Sequence, residues 1–131
     1  MRFIMMMVLA IVSSGAAAEW VKVDSSTNSG GFETYADPAT ISRSGNMAKM
    51  WRLSNFKTLQ TWNNNSYFSD KTQNEYDCKD KQYRALYFTL YAGNMGGGNT
   101  VYSNDGVPTT WRPIPTNSVS ETLWKLACGK Q

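Results

Sequence analysis

The feature that most constrains this chain is a succession of short apolar–polar alternations, broken by Asn, Gly and Ser, that gives way to helical spacing only near its end. Residues 19–24 place Val21 and Val23 on one face and Trp20 and Lys22 on the other. A polar loop over 25–31 leads to a second short strand at 32–35, which Asp37-Pro38 is expected to end because proline supplies no ladder donor. The turn Ser44-Gly45-Asn46 opens a third strand over 47–56, and 61–66 reads as a polar loop. Further strands are predicted over 73–78, 81–91 and 100–104, with a flexible glycine-rich loop at 93–99. On the longest, Leu86, Phe88 and Leu90 are expected on one face and Tyr83, Ala85, Tyr87 and Tyr91 on the other. Consecutive strands joined by short turns specify an antiparallel meander.

The period changes after Pro113 and Pro115, which keep residues 111–115 extended. Ser118 and Glu121 have capping-box spacing, Val119, Leu123, Leu126 and Ala127 follow a helical face, and Gly129 is a stop signal. A helix of about eleven residues is marginal alone in water, so it must dock on the sheet. The fold class is therefore α+β.

The chain begins with Met1-Arg2, an apolar run over 3–12 and a small-residue segment ending Ala16-Ala17-Ala18. These are the parts of a secretory signal, too short to span a bilayer, with cleavage expected after Ala18. Residues 1–18 are then a removed leader and residues 19–131 one exported domain, the 131 residues less 18, or 113. Losing Arg2 lowers the formal charge from +3 to +2, which specifies no anionic partner. Glu19, not cysteine, follows the expected cleavage site, so no lipid anchor is expected and the domain is periplasmic or secreted. In such a compartment the two cysteines, Cys78 and Cys128, form a disulfide. Closing a loop of about fifty residues contributes roughly 4 kcal/mol in the chain-entropy model.

Histidine is absent, which removes the commonest general base, zinc ligand and nucleophile partner. No catalysis, cofactor, metal site or nucleic-acid partner is expected. Glu75 and Asp77 share a strand face and form a conceivable carboxylate pair, but a solvated strand face is the preferred reading. The glycine loop precedes a strand, so it lacks the helix a phosphate cradle needs. Tyr83, Tyr87 and Tyr91, spaced by four, form a candidate protein-binding or dimer face, with ordinary packing as the alternative. Trp62, beside three asparagines, is the loop-borne member of five tryptophans and joins that candidate set.

The ordered set 19–23, 35–41, Met50-Trp51-Arg52-Leu53, Glu75-Tyr76-Asp77-Cys78, Tyr83-Arg84, 91–96, 111–115 and the capped segment to Cys128 resembles the surface-adhesin protein E family. The resemblance spans nearly all of the exported domain. It implies a single antiparallel sheet of about six strands, a C-terminal helix across it, a disulfide at Cys78 and Cys128, and a homodimer. It further implies binding of host extracellular-matrix or serum proteins such as vitronectin and laminin. The alternative is a periplasmic envelope protein with a structural or inhibitory role towards a bacterial partner.

Overall fold

A computed structural model describes residues 19–106 and 108–129. The expected leader over 1–18 lies outside them. Among the described residues, strands β1 (Val21–Ser26), β2 (Phe32–Ser44), β3 (Met47–Trp62), β4 (Asn65–Asp77), β5 (Gln82–Tyr91), β6 (Thr100–Asp105) and β7 (Arg112–Pro113) precede helix α1 (Val119–Cys128). Strands β1 to β6 pair in chain order, each antiparallel to its predecessor. The two-residue β7 shares with β6 the edge of β5 that faces away from β4. This is the α+β meander that the sequence pattern predicts.

Two strands run further than their local signals suggest. Pro38 does not end β2, because the β2–β3 register slips between Asp37 and Ser42 and places the proline in a bulge, where no ladder donor is required. Side chains repair the gap. Asp37 Oδ1 accepts from the Ala39 amide at 3.2 Å, and Thr40 Oγ1 accepts from the Trp51 amide at 3.0 Å while donating to the Asp37 carbonyl at 2.7 Å. The polar loop expected over 61–66 shrinks to a hairpin turn, with Asn63 at φ 46° and Asn64 at φ 66°. Two successive left-handed residues match the twist of the flanking strands, and asparagine tolerates that conformation well.

The helix begins where its cap dictates. Ser118 Oγ accepts from the Glu121 amide at 3.1 Å, as in a capping box. The return bond differs: Glu121 Oε1 accepts from the Asn117 amide at 3.0 Å, and Oε2 takes Lys81 Nζ at 2.6 Å. Gly129, at φ 67°, ends the helix and donates to the Lys125 carbonyl at 2.9 Å.

Leu123 and Ala127 of α1 pack on Ala36, Ala48, Met50 and Tyr76, with Ile114 and the disulfide completing this core. Burying each larger apolar side chain here contributes about 1.5–3 kcal/mol. The helix crosses the end of the sheet that carries the β2–β3 and β4–β5 turns. Arg43 Nη1 donates to the Cys128 carbonyl at 2.6 Å, and Trp124 Nε1 donates to the Asp77 carbonyl at 3.0 Å. Cys78 and Cys128 are bonded, with Cα atoms 5.7 Å apart. We call the sheet face under the helix the inner face.

The glycine-rich segment after β5 is anchored, contrary to the flexible loop expected from its composition. Its 3-10 turn, Asn94–Gly96, folds over the outer face. Asn94 Nδ2 donates to the Phe56 carbonyl at 2.8 Å, Asn55 Oδ1 accepts from the Met95 amide at 2.8 Å, and Ser69 Oγ accepts from the Gly96 amide at 2.9 Å. Leu53 is fully buried on this face. A side chain at Gly98, which adopts φ +74°, would sit 2.9 Å from the Gly93 nitrogen, so this close approach requires glycine.

Candidate functional site

Strand β5 carries the three tyrosines of the candidate face, and a bulge separates them. Asn74 pairs with Ala85 and the adjacent Gln73 with Tyr87, so Leu86 is the extra residue. Inserting one residue reverses the alternation. Tyr83 and Ala85 therefore share the inner face with Phe88 and Leu90, while Tyr87 and Tyr91 lie on the outer face. Tyr83 packs against the core beneath the helix. Trp62, expected on a loop, is instead the last residue of β3: its ring stands edge-on to Phe88 at 5.7 Å and to Tyr102 at 5.0 Å, at the inner rim. The structure thus joins Tyr83 with Trp62 and Tyr87 with Tyr91, on opposite sides of the sheet. The four-residue spacing concealed this because strict alternation leaves polar and apolar residues mixed on both faces of β5, and only the bulge gathers Arg84 and Thr89 on the outer side with Tyr87 and Tyr91.

The outer face presents an aromatic stripe with one cation in it. Tyr87, 40 % exposed, stacks on Trp51 with centroids 6.5 Å apart. Lys71 Nζ sits 5.9 Å from the Trp20 ring and 5.3 Å from the Tyr91 ring. Trp20, Trp51, Lys71 and Tyr91 line a shallow depression of about 310 Å³. Large amphipathic rings such as those of tryptophan and tyrosine are among the side chains that anchor protein partners most often.

On the inner face, the half that the helix leaves open holds two adjoining depressions of about 490 and 360 Å³, which share Arg52, Asp70, Asn74 and Tyr83. Register places these polar residues side by side: Ser54 pairs with Asp70 and Arg52 with Thr72. Arg52 Nη1 donates to Ser54 Oγ at 2.8 Å but stands 3.6 Å from Asp70 Oδ1, an ion pair too long for a hydrogen bond. Asp70 Oδ1 is buried and, among the described residues, has no hydrogen-bond partner. Burial raises the Asp70 carboxyl above its usual range, opposed by the Arg52 charge and a hydrogen bond from Thr72. Burial and the nearby Asp70 charge raise the Tyr67 hydroxyl in turn. Sequence reading missed this site, since residues 67–72 fell outside every predicted strand. Their alternation is visible only once β4 is known to start at Asn65.

The conceivable carboxylate pair has other employment. Glu75 Oε1 accepts from Arg84 Nε at 2.9 Å and is ion-paired with its Nη2 at 2.8 Å, and the Arg84 guanidinium lies 4.5 Å from the centre of the Trp111 ring. Asp77 Oδ1 instead accepts from the Lys79 and Asp80 amides at 3.0 and 2.9 Å, closing the β4–β5 turn. Both carboxylates are structural.

A family model described as surface-adhesin protein E matches residues 20–129, from β1 through α1. The chain belongs to the surface-adhesin protein E family. No curated protein matches it. As a member of the protein E family it is an adhesin-like surface protein, whose work is to bind a protein partner. Family membership points to an exported chain, and among the described residues no helix is long and apolar enough to cross a membrane. In this domain the sheet offers two surfaces of different character: an aromatic stripe outside and a polar-floored groove inside.

Proposed function

We propose that residues 19–131 form an exported adhesin domain that binds host extracellular-matrix or serum proteins through the outer aromatic stripe. The observation that carries this reading is the exposed Tyr87 on Trp51, continued by Lys71 between Trp20 and Tyr91, in a member of an adhesin family. Tyrosine and tryptophan contribute disproportionately to binding because they bury much area with few rotatable bonds. The cation between the rings favours a partner segment bearing carboxylates. Tyr83, beneath the helix, takes no part in this surface.

Surface-binding measurements with the purified, oxidised domain against vitronectin and laminin test the proposal. Saturable binding is expected, weakened about tenfold or more by Tyr87→Ala or Tyr91→Ala. Absence of binding to either protein would overturn it. A second copy of the chain is the other candidate occupant of this face, and light scattering of the same variants detects that outcome. Retention in the periplasm on fractionation would instead favour an envelope role.

A further inference from the structure

We propose that the open half of the inner face is a carbohydrate-binding groove, in which Asp70 and Arg52 hold hydroxyl groups and Trp62 receives the apolar face of a neutral sugar ring. The argument starts from Asp70 Oδ1, buried without a hydrogen-bond donor among the described residues. Leaving a buried acceptor unsatisfied is costly, so a ligand that brings a donor is favoured there. Arg52 Nη1 lies 3.6 Å away. A hydroxyl set between the two accepts from the guanidinium and donates to the carboxylate at once. A ligand carboxylate would offer only acceptors and be repelled by Asp70. A ligand ammonium would offer only donors and be repelled by Arg52. The pair therefore selects a neutral polyol.

The walls supply what a polyol's carbon skeleton needs. Trp62 is 39 % exposed and braced edge-on by Phe88 and Tyr102, so its ring is held in place at the rim. A flat aromatic surface beside a few convergent polar groups is the composition of a small-ligand site. The volume is suitable as well: about 490 Å³ falls within the range of roughly 300–1,000 Å³ typical of such sites. The adjoining 360 Å³ depression, lined by Thr34, Ser54 and Ser120, gives a second ring somewhere to extend. This groove lies on the opposite side of the sheet from Tyr87 and Tyr91, so it stands or falls independently of the protein-binding stripe.

The test is titration of the ¹⁵N-labelled, oxidised domain with N-acetylglucosamine, its β1,4-linked disaccharide, galactose and mannose, followed by amide and indole shifts. Saturable shifts centred on Arg52, Asp70 and the Trp62 indole are expected with at least one sugar. A response to the N-acetylated pair identifies cell-wall-type glycans as the source, and a response to the plain hexoses identifies host-surface glycans. Asp70→Asn removes the charged acceptor and is expected to weaken binding about ten- to a hundredfold. Trp62→Ala, at a partly exposed rim, is expected to fold as the parent does and to weaken binding about tenfold. Tyr87→Ala should bind sugar as the parent does while losing protein binding. No saturable shift with any of the four sugars overturns the proposal, and so does unchanged affinity in both groove variants. Should Asp70→Asn fail to fold, the Trp62 variant decides alone.

Discussion

On the inner face, the half beneath α1 and the half beside it are built from the same strands, yet alternate positions change character within two residues. Under the helix stand Ala36, Ala48, Met50 and Tyr76, all fully buried. Beside it stand Thr34, Arg52, Ser54, Asp70 and Thr72, the next inward positions on β2, β3 and β4. The pleat and ladder are the same in both halves, so backbone preference does not account for the difference. What differs is the covering element. A helix held by a cap and a disulfide excludes water and demands apolar partners. Beside the helix, where two depressions remain, the sheet holds a charge pair that stays incompletely hydrogen-bonded, although Thr34, Ser54 and Thr72 are themselves buried. The closed half supplies stability, and the open half offers chemistry.

Breaking the cover is the strongest test of this division. Replacing Cys78 and Cys128 together by serine is expected to cost about 4 kcal/mol, read from chemical-denaturation curves with and without reductant. An equal midpoint in parent and variant would show that the helix docks without the bond. Next comes Met50→Ala, fully buried at the boundary of the two halves, with an expected loss of about 3 kcal/mol. The open-half change Thr72→Ser, measured alongside, should cost less than about 1 kcal/mol, and a larger loss would erase the distinction between the halves. Ser118→Ala removes the helix cap and should cost about 1 kcal/mol by thermal melting.

The smallest effects separate the halves by the direction in which they respond to pH. Glu121, in the closed half, has its carboxyl lowered from 4.5 first by the Lys81 hydrogen bond and then by the Asn117 amide. A lowered folded value means the native state holds its proton less tightly than the unfolded chain. Its contribution is therefore present above about 4.5 and lost as pH falls through the folded value. Asp70, in the open half, is raised from 3.8 by burial. Protonated Asp70 favours the folded state, so its contribution is complete below the unfolded value and lost as pH rises through the folded one. Melting temperatures over roughly pH 3–7 should thus show Glu121→Gln reducing the acid-side loss and Asp70→Asn reducing the loss on the way up. Parallel profiles for the two variants would contradict these opposite signs.

The sheet, the helix and its cap, and the cysteine pairing were legible because each rests on local spacing: alternation, a serine three before a glutamate, two cysteines in an exported chain. The full lengths of β2, β3 and β4 were not. Pro38 reads locally as a terminator and becomes harmless only when a bulge takes it out of the ladder and Thr40 Oγ1 accepts from the Trp51 amide opposite. The glycine run at 93–99 reads as slack and is anchored by Asn55 and Ser69, residues far away in the chain. The bulge at Leu86 is set by pairing with β4, and it sent Tyr83 to the opposite face from its supposed companions. The groove depends on that same cross-strand register, which no single segment carries.

The disulfide also sets an order of events. Cys128 follows its partner by 50 residues. A chain delivered from its N-terminus exposes β1 to β4 with Cys78 already present but its partner still to come. Strands β5 to β7 and all of α1 must emerge before that bond can close. Closure of the bond therefore waits on the last-delivered element of the domain. A thiol-trapping pulse during export would catch Cys78 reduced throughout that interval, the moment at which a mispairing with another protein's cysteine is easiest.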